Sequence, residues 1–295
     1  MSEPAKSRDW DKAPIASASQ PMRLGLVGRG ITLSRTPRMH EAEARAQGLA
    51  CHYALLDTDR GAAGSLADVI DRAEQSAFAG LNVTYPYKQD VVALLDTLSD
   101  AAERVGAVNT VVFKDGRRHG DNTDLWGFVQ NIQNGLPDAA MGTVLLIGAG
   151  GAGNAVAHAL RDLGALKILV ADVREGAAQA LCKAVGRESE AVPMERLAGA
   201  AAAADGIVNA TPVGTAELPG TPMDPAFLQP RHWVSDIVYF PLQTALLAAA
   251  RAAGCDTLSG EGMAVFQAVR AFELFTGRPA DAGRMRATFR AAGPA

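Results

Sequence analysis

The stretch "GLNVTYPYKQD", Gly80 to Asp90, closes an apolar run with Asn82 and Thr84, passes through a proline and reaches Lys88. Strand alternation places Leu81, Val83 and Tyr85 on one face and Asn82 and Thr84 on the other. With the apolar face in the core, the polar pair and Lys88 face a cleft at the carboxyl end of the strand, where open α/β sheets take their ligands. An ordinary strand followed by a surface lysine would share the pattern. Ser34 and Thr36 flank Arg35 in "LSRTP", and their hydroxyls can grip a carboxylate together or cap a helix near Pro37. "GAVNT" adds Asn109, and "GDNTD" adds Asn122, Thr123 and Asp124. Asp124 opens an amphipathic segment, where an N-cap or a favourable charge on the helix dipole would account for it equally well.

A second group of residues suits phosphate. Gly148, Ala149, Gly150, Gly151, Ala152 and Gly153 satisfy GxGxxG between the apolar run "TVLLI" and a helical segment. Gly148 permits the tight turn, Gly150 lets backbone approach a pyrophosphate, and Gly153 allows close helix packing. The helix N-terminus then offers N–H groups and its dipole to the phosphate charge. A purely structural glycine turn is the competing account. The next strand, "LKILVAD", ends at Asp172, 24 positions after Gly148, where a ribose-binding carboxylate is expected. An aspartate there accepts from the ribose hydroxyls and repels the extra phosphate of NADP, which argues for NAD over NADP. Arg174, two residues on, could neutralise that phosphate, and a solvent-facing turn aspartate fits the same spacing.

These residues need elements to position them. "RLGLVG", "CHYALLD" and Gly80 to Tyr85 read as buried strands, separated by helices ending near Gly48 and spanning Ser65 to Ala77. Past Pro86, Val91, Val92, Leu94, Leu95 and Leu98 recur at helical spacing, which predicts a helix just after Lys88. "TVVFKDGRRHGD" predicts a strand, a Lys-Asp-Gly turn and a return. Further βα units follow the glycine turn, with "GIVNAT" and "WVSDIVY" as strands, and "GMAVFQAVRAFELFTG" is a long helix with no strand after it. The expected fold is α/β: an open, mostly parallel N-terminal substrate domain plus a Rossmann-type dinucleotide-binding domain, with the C-terminal helix returning to the first. The expected organisation is a disordered tail over 1–21, a substrate-binding catalytic domain over 22–123 and 263–295, and a dinucleotide-binding domain over 124–262.

Composition narrows the function classes. The 295 residues are 48% hydrophobic and 20% charged, with a net charge of -4, so no basic stripe for nucleic acid is expected and no polybasic segment for a membrane. Three scattered cysteines outside any CxxC pattern and five histidines without HExxH spacing predict neither a disulfide framework nor a bound metal. The N-terminal segment lacks an apolar signal-peptide core, and no run of about 18 apolar residues occurs. A cytoplasmic protein acting on a small molecule, as a monomer or homodimer, is the expectation.

Taken in order, "LSRTP", "NVTYPYK", "GAVNT", "DNTD", "GAGGAG", "NATPVG", "DIVY" and "GEGMAVFQ" resemble the shikimate dehydrogenase family from Arg23 to the C-terminus. The resemblance implies a catalytic pair, Lys88 and Asp124, and paired hydroxyls on Ser34 and Thr36 for the substrate carboxylate. It implies that Asn82, Thr84, Asn109, Asp124 and Gln267 surround the ring hydroxyls and that Tyr239 lies near the carboxylate. On the cofactor side it implies Gly148 to Gly153, Asp172, Thr211, Ile237 to Val238, and Gly260.

Two departures refine the subtype. Thr36 replaces the usual serine, and Asp172-Val173-Arg174 replaces the Asn-Arg-Thr type sequence of NADP-dependent members. Both changes resemble the NAD-linked quinate/shikimate dehydrogenases, which implies reversible oxidation of the C3 hydroxyl of quinate, or the equivalent hydroxyl of shikimate, to the 3-dehydro product. Such a reaction needs a proton acceptor and a stabiliser of developing oxygen charge, so Lys88 either takes the proton or chiefly holds the alcohol. An NADP-dependent shikimate dehydrogenase of aromatic amino-acid biosynthesis and a non-catalytic metabolite sensor are the alternatives.

Overall fold

The computed structural model describes residues 21–60, 64–186 and 188–291. The tail expected over 1–21 lies outside them apart from Pro21. The chain divides into two compact units. The first holds the described residues of Met1–Ser99 with Ala107–Asp121 and Ala268–Ala292, and the second holds Asp100–Gly106 and Asn122–Gln267.

The first unit is built on strands β1 (Met22–Gly28), β2 (Cys51–Asp57), β3 (Phe78–Val83), β4 (Thr97–Leu98), β5 (Thr110–Lys114) and β6 (Arg117–Asp121). Their spatial order is β2-β1-β3-β5-β6-β4. The first three run parallel, β5 pairs antiparallel with β3 and β6, and β4 pairs parallel with β6. Helix α1 (Thr36–Ala46) links β1 to β2, and α2 (Leu66–Gln75) links β2 to β3. The second begins in a reciprocal capping box between Ser65 and Asp68, which satisfies donors that a helix start leaves open. Between β5 and β6, Asp115 (φ 52°) and Gly116 (φ 70°) supply the left-handed pair that a tight hairpin requires. One core cluster gathers Leu24, Leu26, Ile31 and Tyr53 with Ala271 and Phe275, so the C-terminal half of α9 (Glu261–Thr276) covers this sheet. Helix α10 (Ala282–Ala291) packs against α1. Gly80 permits this closeness, because a Cβ there would collide with Phe275 and the Val111 carbonyl.

The second unit contains β7 (Thr143–Ile147), β8 (Lys167–Ala171), β9 (Ser189–Ala191), β10 (Gly206–Asn209), β11 (Trp233–Asp236) and β12 (Asp256–Leu258). All pairings are parallel, in the order β9-β8-β7-β10-β11-β12, which is the 3-2-1-4-5-6 order of a Rossmann-type sheet. Its connecting helices include α5 (Gly151–Asp162), α6 (Ala177–Val185), α7 (Leu197–Ala203) and α8 (Ala245–Ala252). Leu145, Ile147, Ile207, Val234, Leu246 and Leu247 fill one side of the sheet, the near-continuous apolar composition that a doubly covered parallel sheet demands. Helices α3 (Asp100–Val105) and α4 (Thr123–Gly135) also belong here. Arg104 holds Asp162 through bonds of 2.8 and 2.9 Å, and the Asn154 amide donates to the Val105 carbonyl at 2.7 Å.

Three local expectations are corrected. The apolar run after Lys88 forms a 3₁₀ turn, Asp90–Leu94, followed by β4, and not an α-helix. Its leucines are claimed by the sheet: Leu95 and Leu98 close over Gly120, where any side chain would strike them. Strand β3 stops at Val83, so Tyr85 leaves the apolar face and is 73% exposed. Asn122, not Asp124, is the N-cap of α4, its side-chain oxygen accepting from the Leu125 amide at 3.1 Å. Asp124 sits in the first helical turn, where its charge complements the dipole.

Candidate active site

In the first unit, the candidate substrate residues gather at the carboxyl ends of β1 and β3 and the start of β5. The loop after β1 is held by Arg35, whose guanidinium donates to the Phe289 carbonyl at 2.8 Å and lies 4.9 Å from that ring's centroid. This anchor fixes the two half-buried hydroxyl residues beside it. Ser34 accepts from the Thr36 amide at 3.3 Å, and α1 starts without a side-chain cap from its N-cap residue, Arg35, so capping does not account for Thr36. Thr84 follows β3 directly, its amide bonded to the Val27 carbonyl at 3.0 Å, and Gly28 leaves the room its methyl occupies. Lys88 is half-buried, and its carbonyl accepts from the Val108 amide at 2.7 Å, which ties the lysine's backbone to the segment bearing Asn109.

Asn82 and Asn109 are brought together, both nearly fully buried. The Asn82 amide nitrogen donates to the Asn109 carbonyl (3.3 Å) and the Thr110 hydroxyl (3.1 Å), while its oxygen accepts from the Tyr53 hydroxyl at 2.7 Å. Thr110 in turn donates to Asn109 Oδ1 at 3.2 Å. Each end of the Asn82 amide is therefore engaged inside the unit. Tyr53 and Thr110 escaped sequence reasoning: one reads as a core aromatic of a strand, the other as part of "NTVV", and only strand pairing places them beside Asn82.

In the second unit, the glycine turn joins β7 to α5. Gly148 has φ 107°, which a side chain rarely adopts, and a Cβ would stand 2.7 Å from the Ala210 carbonyl. Gly153 lets α5 press on the Gly148 carbonyl, while a Cβ at Gly151 would meet nothing within 4 Å. These residues fit a dinucleotide: the turn is closed where it touches protein and open where a pyrophosphate would approach. Gly150 is the N-cap and Gly151 and Ala152 begin α5, whose first amides are the free donors of that helix start.

Asp172, at the end of β8, is shielded by its neighbours. It accepts from the Ala149 amide at 2.7 Å, and from Arg174 through its amide (2.8 Å), Nε (3.1 Å) and Nη2 (3.0 Å). Burial pushes its carboxyl up, but the bonds from Arg174 and Ala149 outweigh that and hold it below the usual carboxylate range. Opposite the glycine turn, the Asn209 oxygen accepts from the amide and hydroxyl of Thr211 at 3.0 and 2.7 Å. Its nitrogen donates to the Val213 carbonyl at 2.9 Å and to Asp236 at 3.0 Å. Asp236 also accepts from the Val238 amide (3.0 Å) and the Thr244 hydroxyl (2.7 Å), so one fully buried carboxyl pins the turns after both β10 and β11. Burial pushes that carboxyl above its ordinary value, against the bonds from Thr244, Val238 and Asn209. Asn209 and Asp236 were unassigned in the sequence, although an Asn or Asp ending an apolar strand before a turn is a legible signal.

Gly260 abuts the carbonyls of Ile237 and Val238, which explains a glycine at that point. Tyr239 is 40% exposed and meets Phe240 edge-on at 4.9 Å. Gln267 is half-buried on α9, its amide donating to the Ala264 carbonyl at 2.9 Å, and Gly127 of α4 passes close beneath it. Asp124 is 8% exposed in the second unit, and Lys88 belongs to the first. Among the described residues, no cluster of His, Cys, Asp and Glu could hold a metal, and no helix is long and apolar enough to cross a membrane.

A 3-2-1-4-5-6 parallel sheet with this glycine turn, in a chain whose other unit is an α/β sheet with hydroxyls, amides and a lysine after its strands, is the architecture of a two-unit dehydrogenase of the Rossmann type. Family models agree along the chain: a shikimate dehydrogenase substrate binding domain over 26–111, a shikimate/quinate 5-dehydrogenase model over 130–223, and a shikimate 5'-dehydrogenase C-terminal domain over 260–288. The quinate/shikimate dehydrogenase (NAD(+)) of Corynebacterium efficiens is 52% identical over 90% of this chain and 96% of its own. A shikimate dehydrogenase (NADP(+)) of Streptomyces avermitilis is 50% identical over 90% of this chain and 93% of its own. Quinate dehydrogenase from Corynebacterium glutamicum, solved in complex with NAD, superposes with a TM-score of 0.89 at 48% identity, covering 92% of this chain and 99% of that one. The chain belongs to the shikimate dehydrogenase family, whose members oxidise a hydroxyl group.

Proposed function

We propose that this protein is an NAD-dependent quinate/shikimate dehydrogenase, reversibly oxidising the C3 hydroxyl of quinate or the equivalent hydroxyl of shikimate. The observation that carries the cofactor choice is the Asp172–Arg174 arrangement. The carboxylate that would accept from ribose hydroxyls is held ionised, and Arg174 spends its guanidinium on that carboxylate, away from any 2'-phosphate. The relatives of similar identity named for both cofactors make this local chemistry, more than overall likeness, the deciding support.

NAD supplies the hydride acceptor when bound. The chain's own residues do the rest. Gly148, Gly150, Gly151, Ala152 and Gly153 seat the pyrophosphate by backbone N–H groups, and Thr211, Val238 and Gly260 line the remainder of the cofactor. Ser34 and Thr36 grip the substrate carboxylate with Tyr239 nearby, while Thr84, Asn109 and Gln267 read the ring hydroxyls. Asn82 supports them from within the unit. Lys88 acts at the oxygen being oxidised, whose proton must depart as the adjacent carbon gives up hydride, and Asp124 sets the lysine's position and charge. The alcohol loses a hydride from carbon and a proton from oxygen, giving the 3-dehydro ketone.

The domain roles follow: 22–123 with 263–295 bind substrate, and 124–262 bind the dinucleotide. The enzyme works in the cytoplasm, as a monomer or homodimer without nucleic-acid or membrane partners, in quinate catabolism more than in aromatic amino-acid biosynthesis. Initial rates with quinate and shikimate, each paired with NAD and NADP, test the proposal. Faster NADH than NADPH formation is expected, and the reverse order would move the chain to the NADP-dependent subtype.

A further inference from the structure

Arg35 stands between the two hydroxyl residues proposed for the substrate carboxylate, a place where an arginine reads first as the carboxylate's own charged ligand. Its guanidinium turns to a different partner. Nη1 donates to the Phe289 carbonyl at 2.8 Å and Cζ lies 4.9 Å from the Phe289 ring centroid, with both residues buried. Phe289 lies in the last turn of α10, where carbonyls outnumber the helix's own donors and a cation complements the dipole. A planar guanidinium that bonds the carbonyl and packs on the ring of one residue is held in a single orientation, which an ammonium in its place would not be. The backbone of Arg35 is meanwhile the N-cap of α1, its carbonyl accepting from the Met39 amide at 3.3 Å. One residue thus joins the start of α1 to the end of α10.

The same two helices are joined again further along. The buried Glu43 of α1 accepts from Arg284 Nε (2.6 Å) and Nη2 (3.0 Å), from the Gln47 amide nitrogen (2.7 Å) and from the Asp281 backbone amide (3.1 Å). Glu43 is eight positions past Arg35, which is about 12 Å along a helix. The far latch therefore fixes where α10 lies on α1, and the near latch is the one that reaches the turn carrying the hydroxyls. In that turn the Ser34 amide donates to the Ile31 carbonyl at 3.0 Å and the Thr36 amide to Ser34 Oγ at 3.3 Å. We infer that Arg35 and Phe289 are positioning residues for the substrate carboxylate: clamped by the C-terminal helix, Arg35 sets the spacing and direction of the Ser34 and Thr36 hydroxyls and does not itself bind the carboxylate. Substrate affinity is then tied to a residue 254 positions further along the chain, since a small displacement of a gripping group is costly to binding.

The inference rests on the quinate/shikimate reading, and the test separates the two. Steady-state constants with NAD would be measured for wild type, Arg35→Met, Arg35→Lys, Phe289→Leu and Arg284→Gln, alongside urea unfolding of each. The substrates are quinate, shikimate and the shikimate analogue with a hydroxymethyl group in place of its carboxylate. Arg35→Met and Phe289→Leu are each expected to raise KM for quinate and shikimate about tenfold, the equivalent of one charge-assisted bond, with KM for NAD unchanged and kcat within about threefold. Arg35→Lys should do no better than Arg35→Met, because it keeps the charge and loses the planar fork and its packing on the ring. The penalty should vanish on the hydroxymethyl analogue, which has no carboxylate to grip. Arg284→Gln, which breaks the far latch, should lower stability and leave KM for quinate within about twofold. Full recovery of KM in Arg35→Lys, with Phe289→Leu unchanged, would make the charge itself the ligand and overturn the inference. An equal penalty on the hydroxymethyl analogue, or an equal rise in Arg284→Gln, would reduce the clamp to general stability and overturn it too. Should Phe289→Leu fail to fold, the contrast between Arg35→Lys and Arg35→Met still decides. No NADH from wild type with either substrate would overturn the functional reading, and the carboxylate as the clamp's target with it.

Discussion

The two units place polar groups at the carboxyl ends of their sheets by different means. In the second, the candidate cofactor surface is mostly backbone: six consecutive residues, Gly148 to Gly153, plus one carboxylate returning from β8 to the Ala149 amide at 2.7 Å. In the first it is side chains, oriented by partners from other strands: Tyr53 of β2 and Thr110 of β5 both act on Asn82 of β3, across 29 and 28 positions of sequence. Backbone recognition asks only that side chains be absent, a property a short fragment carries by itself. Side-chain recognition asks that each amide and hydroxyl be turned the right way, which requires neighbours that only the sheet supplies.

The largest expected effect is on the side-chain half. Lys88→Ala should lower kcat by about 10² or more with a small change in substrate KM, as loss of a general acid–base group does, read by steady-state NADH formation. Near-wild-type turnover would take Lys88 out of the mechanism. On the backbone half, Gly153→Ala drives a methyl into the Gly148 carbonyl, and overpacking of that kind costs roughly 1–3 kcal/mol. It should raise KM for NAD by about tenfold or more and lower Tm, leaving KM for quinate nearly unchanged; a larger change for quinate than for NAD would erase the contrast between the units.

Asp172→Ser tests the one side chain on which the backbone half depends. Loss of charge-assisted bonds worth about 1.5–3 kcal/mol, with Arg174 released, should shift the NADP to NAD ratio of kcat/KM by at least about tenfold towards NADP. An unchanged ratio would place cofactor choice elsewhere.

The smallest effect concerns stability of the first unit. His40 is fully buried against Tyr53, Phe272 and Phe275, and burial lowers it from its ordinary value near 6.5 to about 3. Keeping the ring neutral therefore carries no proton-linkage cost above pH 6.5, where the unfolded chain is also neutral. As the pH falls from 6.5 towards 3 the unfolded state gains a proton that the folded state refuses, and stability drops by up to about 1.4 kcal/mol per pH unit. Urea unfolding of wild type and His40→Phe at pH 7, 6 and 5 should show a shallower decline in the variant; parallel curves would mean that the ring is protonated in the fold.

The alternation of strands and helices was legible, as were the glycine turn and the position of Asp172, because each depends on residue types within a few turns of one another. The misread segments share a cause. Val91 to Leu98 has helical spacing, yet Leu95 and Leu98 are drawn over Gly120 of β6, a strand more than twenty positions on. Alternation separates Asn82 from Leu81 and Val83, but the register puts it on the face that carries Leu24, Leu26 and Tyr53, which is also apolar, and its amide is consumed by Tyr53, Thr110 and the Asn109 carbonyl.

The sequence alone determined the alternation of strands and helices, the Lys-Asp-Gly turn and the glycine turn, since backbone conformation and burial preference are local properties of residue type. Only the tertiary structure decided which way the buried amides point, which carboxyl pins the turns after β10 and β11, and where the apolar run after Lys88 goes. A donor and an acceptor on one amide look the same in a sequence, and they become distinct only when folding brings an acceptor-only carbonyl to one side.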